Sequence, residues 1–378
     1  MKSTLLRCAR MLSIAAVLGA GAAWGQEVTI GQVGPFTKIP VPDAVEINEG
    51  IQAYVQQVNK SGGVRGLKLN FFDLDDRYSG DGFAEQFGKA MQKKPVALLS
   101  PIGSEALLRM FKDKLLDESD VLVINAIPGA EVLRNPGHPH LFHLRAGDKQ
   151  QIEKIVNHAR TLGVSKMGVL YQDLAIGTSG FAVAQDTAKA APGLGIQGVK
   201  SGPGAPEMAA AAQELKKLEP QTVLVVGAPR FMADGVAALR KAGMSQSMFI
   251  LSYVPTPMLV KLAGVEGARG VGIAQTYPNP NGIVLPLQRD FQAAMKAAYP
   301  QVTTYTSFHL EGYLSARTVG EAIKRSKDAV ITPASIEKVL RTTGEIDFGG
   351  YRVDFSKGQI GSKWVDIAVV GADGKLHY

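Results

Sequence analysis

Short apolar runs alternate with longer amphipathic ones along most of the chain. VTIGQV (28–33), LKLNFF (67–72), VALLS (96–100) and VLVIN (121–125) are nearly continuous apolar segments, the pattern of parallel strands buried on both sheet faces. Between the first two, Ile47, Ile51, Tyr54, Val55 and Val58 recur at helical spacing, and Ser61-Gly62-Gly63 stops that helix. A second series starts after LFHLRAGD. There Asp148 and Gln151 make a capping-box pattern, Ile152, Ile155, Val156 and Ala159 form one face, and Gly163 ends the helix. KMGVLY (166–171), TVLVV (222–226) and MFILS (248–252) follow as strands with helices between them. Strands alternating with helices at this spacing predict right-handed βαβ units. Two series that each start afresh predict an α/β protein of two doubly wound, parallel-sheet lobes.

From about residue 270 the pattern changes. VGIAQTYPNPN reads as a strand ending in a Pro/Asn-rich turn. Val284, Leu287, Phe291, Ala294, Met295 and Ala298 predict a long helix, and residues 306–325 another. The closing FGGYRVDFSKGQIGSKWVDIAVVGADGKL reads as antiparallel strands with Gly turns, WVDIAVV being the clearest. No low-complexity linker separates the halves, so the chain is expected to cross between lobes more than once.

The N-terminus changes what is counted. Lys2, Arg7 and Arg10 precede an apolar stretch from Met11 to Ala23, and Ala23-Trp24-Gly25 is a small-x-small site before Gln26. The expected reading is a cleavable signal peptide over 1–25 and export to the periplasm. The apolar stretch falls short of the roughly 20 residues of a spanning helix. Removing the three basic residues from 41 leaves 38 against 34 acidic ones, a net of +4 for the exported part, with no basic stripe to suggest nucleic acid. The one cysteine, Cys8, leaves with the signal, so disulfides and thiol chemistry are excluded.

Enzyme signatures are incomplete. GQVGPF lacks the third glycine of a dinucleotide fingerprint, and GFAEQFGK (82–89) has the wrong spacing for a phosphate loop. There is no G-x-S-x-G elbow. Ser335 to Lys338 matches S-x-x-K, which keeps an exported serine hydrolase as an alternative, but neither S-D-N nor K-T-G accompanies it and Thr332-Pro333 reads as a helix start. His138, His140 and His143 cluster without an acidic or cysteine partner in sequence, better read as a loop and strand than as a metal site. Asp75-Asp76 reads as turn-shaping, with Ser79 capping the next helix, against the alternative of an ammonium site. No cofactor is expected.

What remains is a set of loops at the carboxyl ends of the strands, where open α/β sheets bind ligands: GPFTKIP, SPIGS, NAIPGAE, YQDLAIG, GAPRF and LSYVPTP. They are rich in Gly, Pro, hydroxyls and aromatics, and poor in nucleophile–base pairs. Such loops recognise a molecule without transforming it. SPIGSEALLRM in particular puts a glycine at a helix start, whose free N–H groups and positive end suit a carboxylate or phosphate; Ser104 as a plain cap is the alternative.

Seven stretches in order resemble the substrate-binding proteins of branched-chain amino acid type ABC importers: IGQVGPFT, VNKSGGVRGLKLNFFDLDD, IPGAEVLRNP, LFHLRAGDKQQIEKIV, YQDLAIGTSGFA, FHLEGYLSARTVGEAI and FGGYRVDFSKGQIGSKWVDIAVVGADGK. The resemblance covers essentially the whole exported chain. It implies a type 1 periplasmic binding protein of two lobes joined by three crossings, near Arg145–Asp148, Thr276–Pro280 and Gly349–Phe355. The lobes would be 26–146 with 277–350, and 147–276 with 351–378. It also implies a small-molecule ligand, amino acid or carboxylate, held by Ser100, Ile102, Gly103 and Ser104 with Ala126 and Ile127 on one lobe. Tyr171, Asp173, Ile176, Ala228, Ser252 and Tyr253 would face it from the other. The loops depart from the amino-acid-binding pattern: Pro128 stands where relatives often have threonine, and Tyr253 lies where some carry an acid. Phe36, Tyr171, Tyr253 and Tyr277 could then enclose an aromatic or aliphatic acid. The implied partner is an ABC permease, with the protein a monomer; a sensor subunit of the same fold is the alternative.

Overall fold

The computed structural model describes residues 27–378 apart from 38–41 and 191, so the signal-peptide reading and part of the GPFTKIP loop lie outside the described residues. Five parallel strands form the first sheet: β1 (Glu27–Gly34), β2 (Lys68–Asp75), β3 (Ala97–Leu99), β4 (Leu122–Ile124) and β5 (Leu141–Phe142), in the order β2-β1-β3-β4-β5. Helices α1 (Pro42–Lys60), α2 (Gly80–Met91), α3 (Ser104–Lys112) and α4 (Glu131–Arg134) connect them. The central strands β3 and β4 are buried throughout, as continuous apolar runs require. β2 is different. It lies at the sheet edge, and of its eight residues only Leu69 is buried.

Helix α5 (Asp148–Thr161) leads into the second sheet. It holds β6 (Lys166–Gln172), β7 (Gly195–Ser201), β8 (Thr222–Val226), β9 (Ser247–Ile250) and β10 (Val271–Gln275), all parallel, with β13 (Asp366–Val370) and β14 (Leu376–His377) antiparallel at one edge. α6 (Ala175–Lys189), α7 (Ala205–Lys217), α8 (Pro229–Lys241) and α9 (Thr256–Ala268) are its crossovers. The cap of α5 sits one residue earlier than the sequence pattern suggests: Gln150 Oε1 accepts from Gly147 N at 2.9 Å, and Asp148 is the first helical residue. Its carboxylate accepts from the Tyr253 hydroxyl instead.

After β10 the chain returns. α10 (Pro286–Ala298) and α11 (Ser307–Arg325) pack on α1, so residues distant in sequence complete the first sheet's helical layer. α12 (Pro333–Thr342) and the hairpin β11 (Glu345–Asp347)–β12 (Arg352–Asp354) follow. Thr332 caps α12 by accepting from Ser335 N at 3.2 Å, and the Ser335 hydroxyl donates to Thr332 O at 2.8 Å, so Ser335 serves the helix start. A lobe boundary at 350 would cut the β11–β12 hairpin, and Gln359 to Gly361 pair with His143 just after β5; we propose a boundary between Gly361 and β13 instead. No helix among the described residues is long and apolar enough to cross a membrane.

Candidate functional site

At the end of β3 the chain turns sharply. Ser100 takes φ +48°, Pro101 and Ile102 follow, and Gly103 caps α3 at φ +99°, a conformation that L side chains rarely adopt. No side chain caps this helix. Its first-turn N–H groups, which have no intrahelical acceptor, open onto a cavity of about 150 Å³ lined by Ile102, Gly103 and Ser104 with Tyr78, Ser79 and Glu105. The uncapped positive end of a nine-residue helix beside an open glycine suits a carboxylate.

Tyr78 is the far wall, and a strained turn puts it there. Arg77 and Tyr78 both have positive φ, and Asp76 Oδ1 accepts from Tyr78 N at 2.7 Å. Asp76 is fully buried, its other oxygen unpartnered, and burial pushes its carboxyl up to about 6. Asp75 accepts from Phe36 N at 2.8 Å and from the Thr37 hydroxyl, tying the β1–α1 loop to β2. Ser79 accepts from Gly82 N at 3.0 Å and so caps α2. Both aspartates therefore shape turns, as the sequence reading favoured.

The other sequence-predicted residues do not join this cavity. Ser100 is buried with its hydroxyl on Ser315 Oγ at 2.8 Å, and Ile127 N donates to Pro101 O at 3.0 Å, so neither group is free for a ligand. Ala126 lies in the core under α3. Phe36 is half-buried and packs on the larger core. Tyr171 stacks on Phe181 with ring centroids 4.6 Å apart, and Asp173 pairs with Lys200 at 3.1 Å on the exposed edge. Ala228 caps α8 and donates its N–H to Gln172 Oε1 at 2.8 Å. Ile176 remains at the start of α6, beside Leu174, which is 55% exposed at a strand's carboxyl end.

Ser252, Tyr253 and Tyr277 converge elsewhere, on a buried ionic network at the crossings. Arg145 and Glu311 are both almost fully buried; Arg145 Nη1 reaches the two Glu311 oxygens at 3.3 and 3.2 Å. Glu311 also accepts from Asn125 Nδ2 at 3.0 Å and from the Tyr277 hydroxyl at 3.2 Å. Arg145 Nη2 donates to Ser252 Oγ, and its guanidinium lies 4.7 Å from the centre of the Tyr253 ring. The Tyr253 hydroxyl donates to Asp148 Oδ1. Tyr351, in the turn between β11 and β12, donates its hydroxyl to Leu144 O at 2.8 Å. Burial raises the Tyr277 hydroxyl well above its ordinary range and pushes the carboxyl of Asp43 up to about 7, with Glu311 nearby adding to it.

The sequence reading missed Tyr78, Arg145 and Glu311. Glu311 carried a visible signal: it is a lone acid among Phe308, Leu310, Tyr313 and Leu314 on a helix with no solvated face there. Beside the network, a larger cavity of about 520 Å³ opens between the β9–α9 loop, the Asn279–Asn281 turn, the start of α11 and the chain's last residues.

The profile of the periplasmic binding protein family matches residues 27–375. The chain belongs to the periplasmic binding protein family. Its fold is that of the type 1 periplasmic binding proteins. An extracellular ligand-binding receptor from Verminephrobacter eiseniae is 57% identical and superposes with a TM-score of 0.89, over 93% of this chain and 100% of that one. A Leu/Ile/Val-binding protein homologue (number 7) from Brucella melitensis is 24% identical over 97% of this chain and 94% of its own length. A branched-chain amino acid ABC transporter protein from Thermus thermophilus, solved with valine bound, shares the fold at a TM-score of 0.77 and 19% identity, over 93% of this chain and 94% of that one. The family and these relatives are binding proteins, not enzymes.

Proposed function

We propose that this chain is an extracytoplasmic solute-binding protein. It holds a small carboxylated molecule between the loops of its two sheets and delivers it to the permease of an ABC importer. The observation that carries the reading is the uncapped N-terminus of α3 behind Gly103, opening onto the cavity walled by Tyr78 and Ile102. The carboxylate would take the N–H groups of that turn, with Ser104 as the side-chain donor. Leu174 and Ile176, at the carboxyl end of a strand in the second sheet, would cover the apolar body. Relatives named for leucine, isoleucine and valine, and the valine of the Thermus structure, support an amino acid or an acid of like size. The second sheet's β9–α9 loop offers no carboxylate for an ammonium group, but Glu105 lies in the wall of the α3 cavity itself. The family's extracytoplasmic setting supports cleavage of residues 1–25 and a periplasmic address.

Gly103→Val tests the site. Valine is strained at a φ of +99°, and its Cβ stands 3.4 Å from the Tyr78 ring, in the path to the helix N–H groups. Calorimetry with leucine and with 3-phenylpropionate should show at least about tenfold weaker binding of whichever the wild type holds, roughly 1.4 kcal/mol or more. Unchanged affinity for a bound acid would remove the assignment.

A further inference from the structure

Three chain crossings join the two sheets, and a single side chain reaches partners on both sides of them. Arg145 stands on the first crossing, between β5 and α5. Its Nη1 holds Glu311, on the helix that packs against α1 in the first sheet's layer. Its Nη2 holds Ser252, directly after β9 of the second sheet, and its plane lies against Tyr253 of the same loop. The first sheet's NAIPGAE loop is packed against that loop too: a Cβ on Gly129 would overlap the Tyr253 hydroxyl and the Asp148 carboxylate.

We propose that Arg145 is a positioning residue for ligand binding: it pins the β9–α9 loop to α11 and thereby sets the balance between closed and open arrangements of the two sheets. This rests on the reading of the chain as a two-lobed binding protein. Arginine suits the role because its rigid fork can serve a carboxylate and a hydroxyl at once, while the stacked ring supports the plane; lysine offers one flexible point. The geometry also carries signs of a second arrangement. Arg145 Nε, Asp148 Oδ2 and Gln151 Nε2 are all buried around this contact without a hydrogen-bond partner. Unpaired buried groups occur elsewhere too, as at Asp76 and His143, but these three share one contact between the two sheets, where a shift of the sheets would offer them partners. The loop's bonds from Ser252 N to Gln151 Oε1, at 2.9 Å, and from Tyr253 to Asp148 both run to α5, so it is the Arg145–Ser252 bond that links the loop toward α11, whereas the Arg145–Glu311 pair itself stays on one side.

The test uses the exported chain, whose sequence after residue 25 has no cysteine, with spin labels on Lys112→Cys in α3 and Lys217→Cys in α7, both exposed. Distance distributions are measured on ligand-free protein for the otherwise wild-type chain, Ser252→Ala, Ser252→Thr and Arg145→Lys. Ser252→Ala leaves Glu311 its partner, so the fold is retained even where Arg145→Lys fails to fold. Ser252→Ala should shift the ratio of open to closed populations by roughly tenfold toward open, with Arg145→Lys matching it where it folds. Ser252→Thr, which keeps the hydroxyl, should reproduce the wild type. A purely structural contact would lower the melting temperature without moving the distances. Superimposed distributions for Ser252→Ala and wild type would overturn the proposal. Addition of leucine and of 3-phenylpropionate to the wild type separates the two readings: if neither shortens the distance, the ligand reading fails, and the ligand-free comparison still decides the role of Arg145.

Discussion

Three carboxylates recur along one side of the start of α1: Asp43, Glu46 and Glu49. Glu46 accepts from the Thr306 hydroxyl at 2.6 Å, and Glu49 faces His309 Nε2 at 3.1 Å. Burial pushes the Glu46 carboxyl up to about 7, and the same cause depresses His309 to about 4. The two act in opposite directions. A carboxyl raised in the folded state stabilises the fold while it holds its proton, fully below about pH 4, and that contribution is lost as pH rises to about 7. A depressed histidine contributes above about pH 6.5, and loses its contribution as pH falls toward 4. Glu46→Gln keeps an acceptor for Thr306 and removes one titration. Urea unfolding should therefore show the variant losing less stability than the wild type between about pH 5 and pH 8. Identical pH profiles would mean that Glu46 is solvated. Nothing in the sequence marks these acids, because the start of α11 that packs on them arrives some 260 positions later in the chain.

At the scale of elements, hydrophobic spacing was enough wherever an element is buried on its own terms. β3 and β4 are apolar throughout, β8 is so after Thr222, all three are fully buried, and α1 and α11 lie where their periodicity places them. β7 escaped notice because GIQGVKS is an edge strand whose outer positions are polar and glycine-rich, so it lacks the apolar run that marked its neighbours. The packing of α11 on α1 was not legible either. It depends on close backbone approach at Gly50 and Gly312, where a Cβ would strike the carbonyl oxygens of His309 and Ile47. A glycine inside a helix reads in sequence only as a weak position. Gly312→Val should overpack this contact and cost about 1–3 kcal/mol or more, seen as a lower denaturation midpoint with a preserved slope. An unchanged midpoint would show that the two helices can separate without loss.

For the molecule as a whole, the alternation of strands and helices and its fresh start at LFHLRAGD foretold two parallel sheets, and the topology has them, with β13 and β14 added antiparallel at the edge of the second. The candidate site was legible only in part. Ile102, Gly103 and Ser104 could be read because a glycine after a strand and before a helix has a direct physical meaning. Residues brought over by position alone were harder: Ser100, Ile127 and Ala228 have hydrogen-bonding groups that the structure spends on Ser315, Pro101 and Gln172. No sequence pattern distinguishes a hydroxyl facing a cleft from one bonded across a core. The central claim is that a small acid lies against the α3 N-terminus between the two sheets and leaves unchanged. Mass spectrometry of small molecules released by denaturing the purified protein tests it most directly. The account predicts one intact carboxylated molecule per chain; no molecule, or one without a carboxylate, would contradict it.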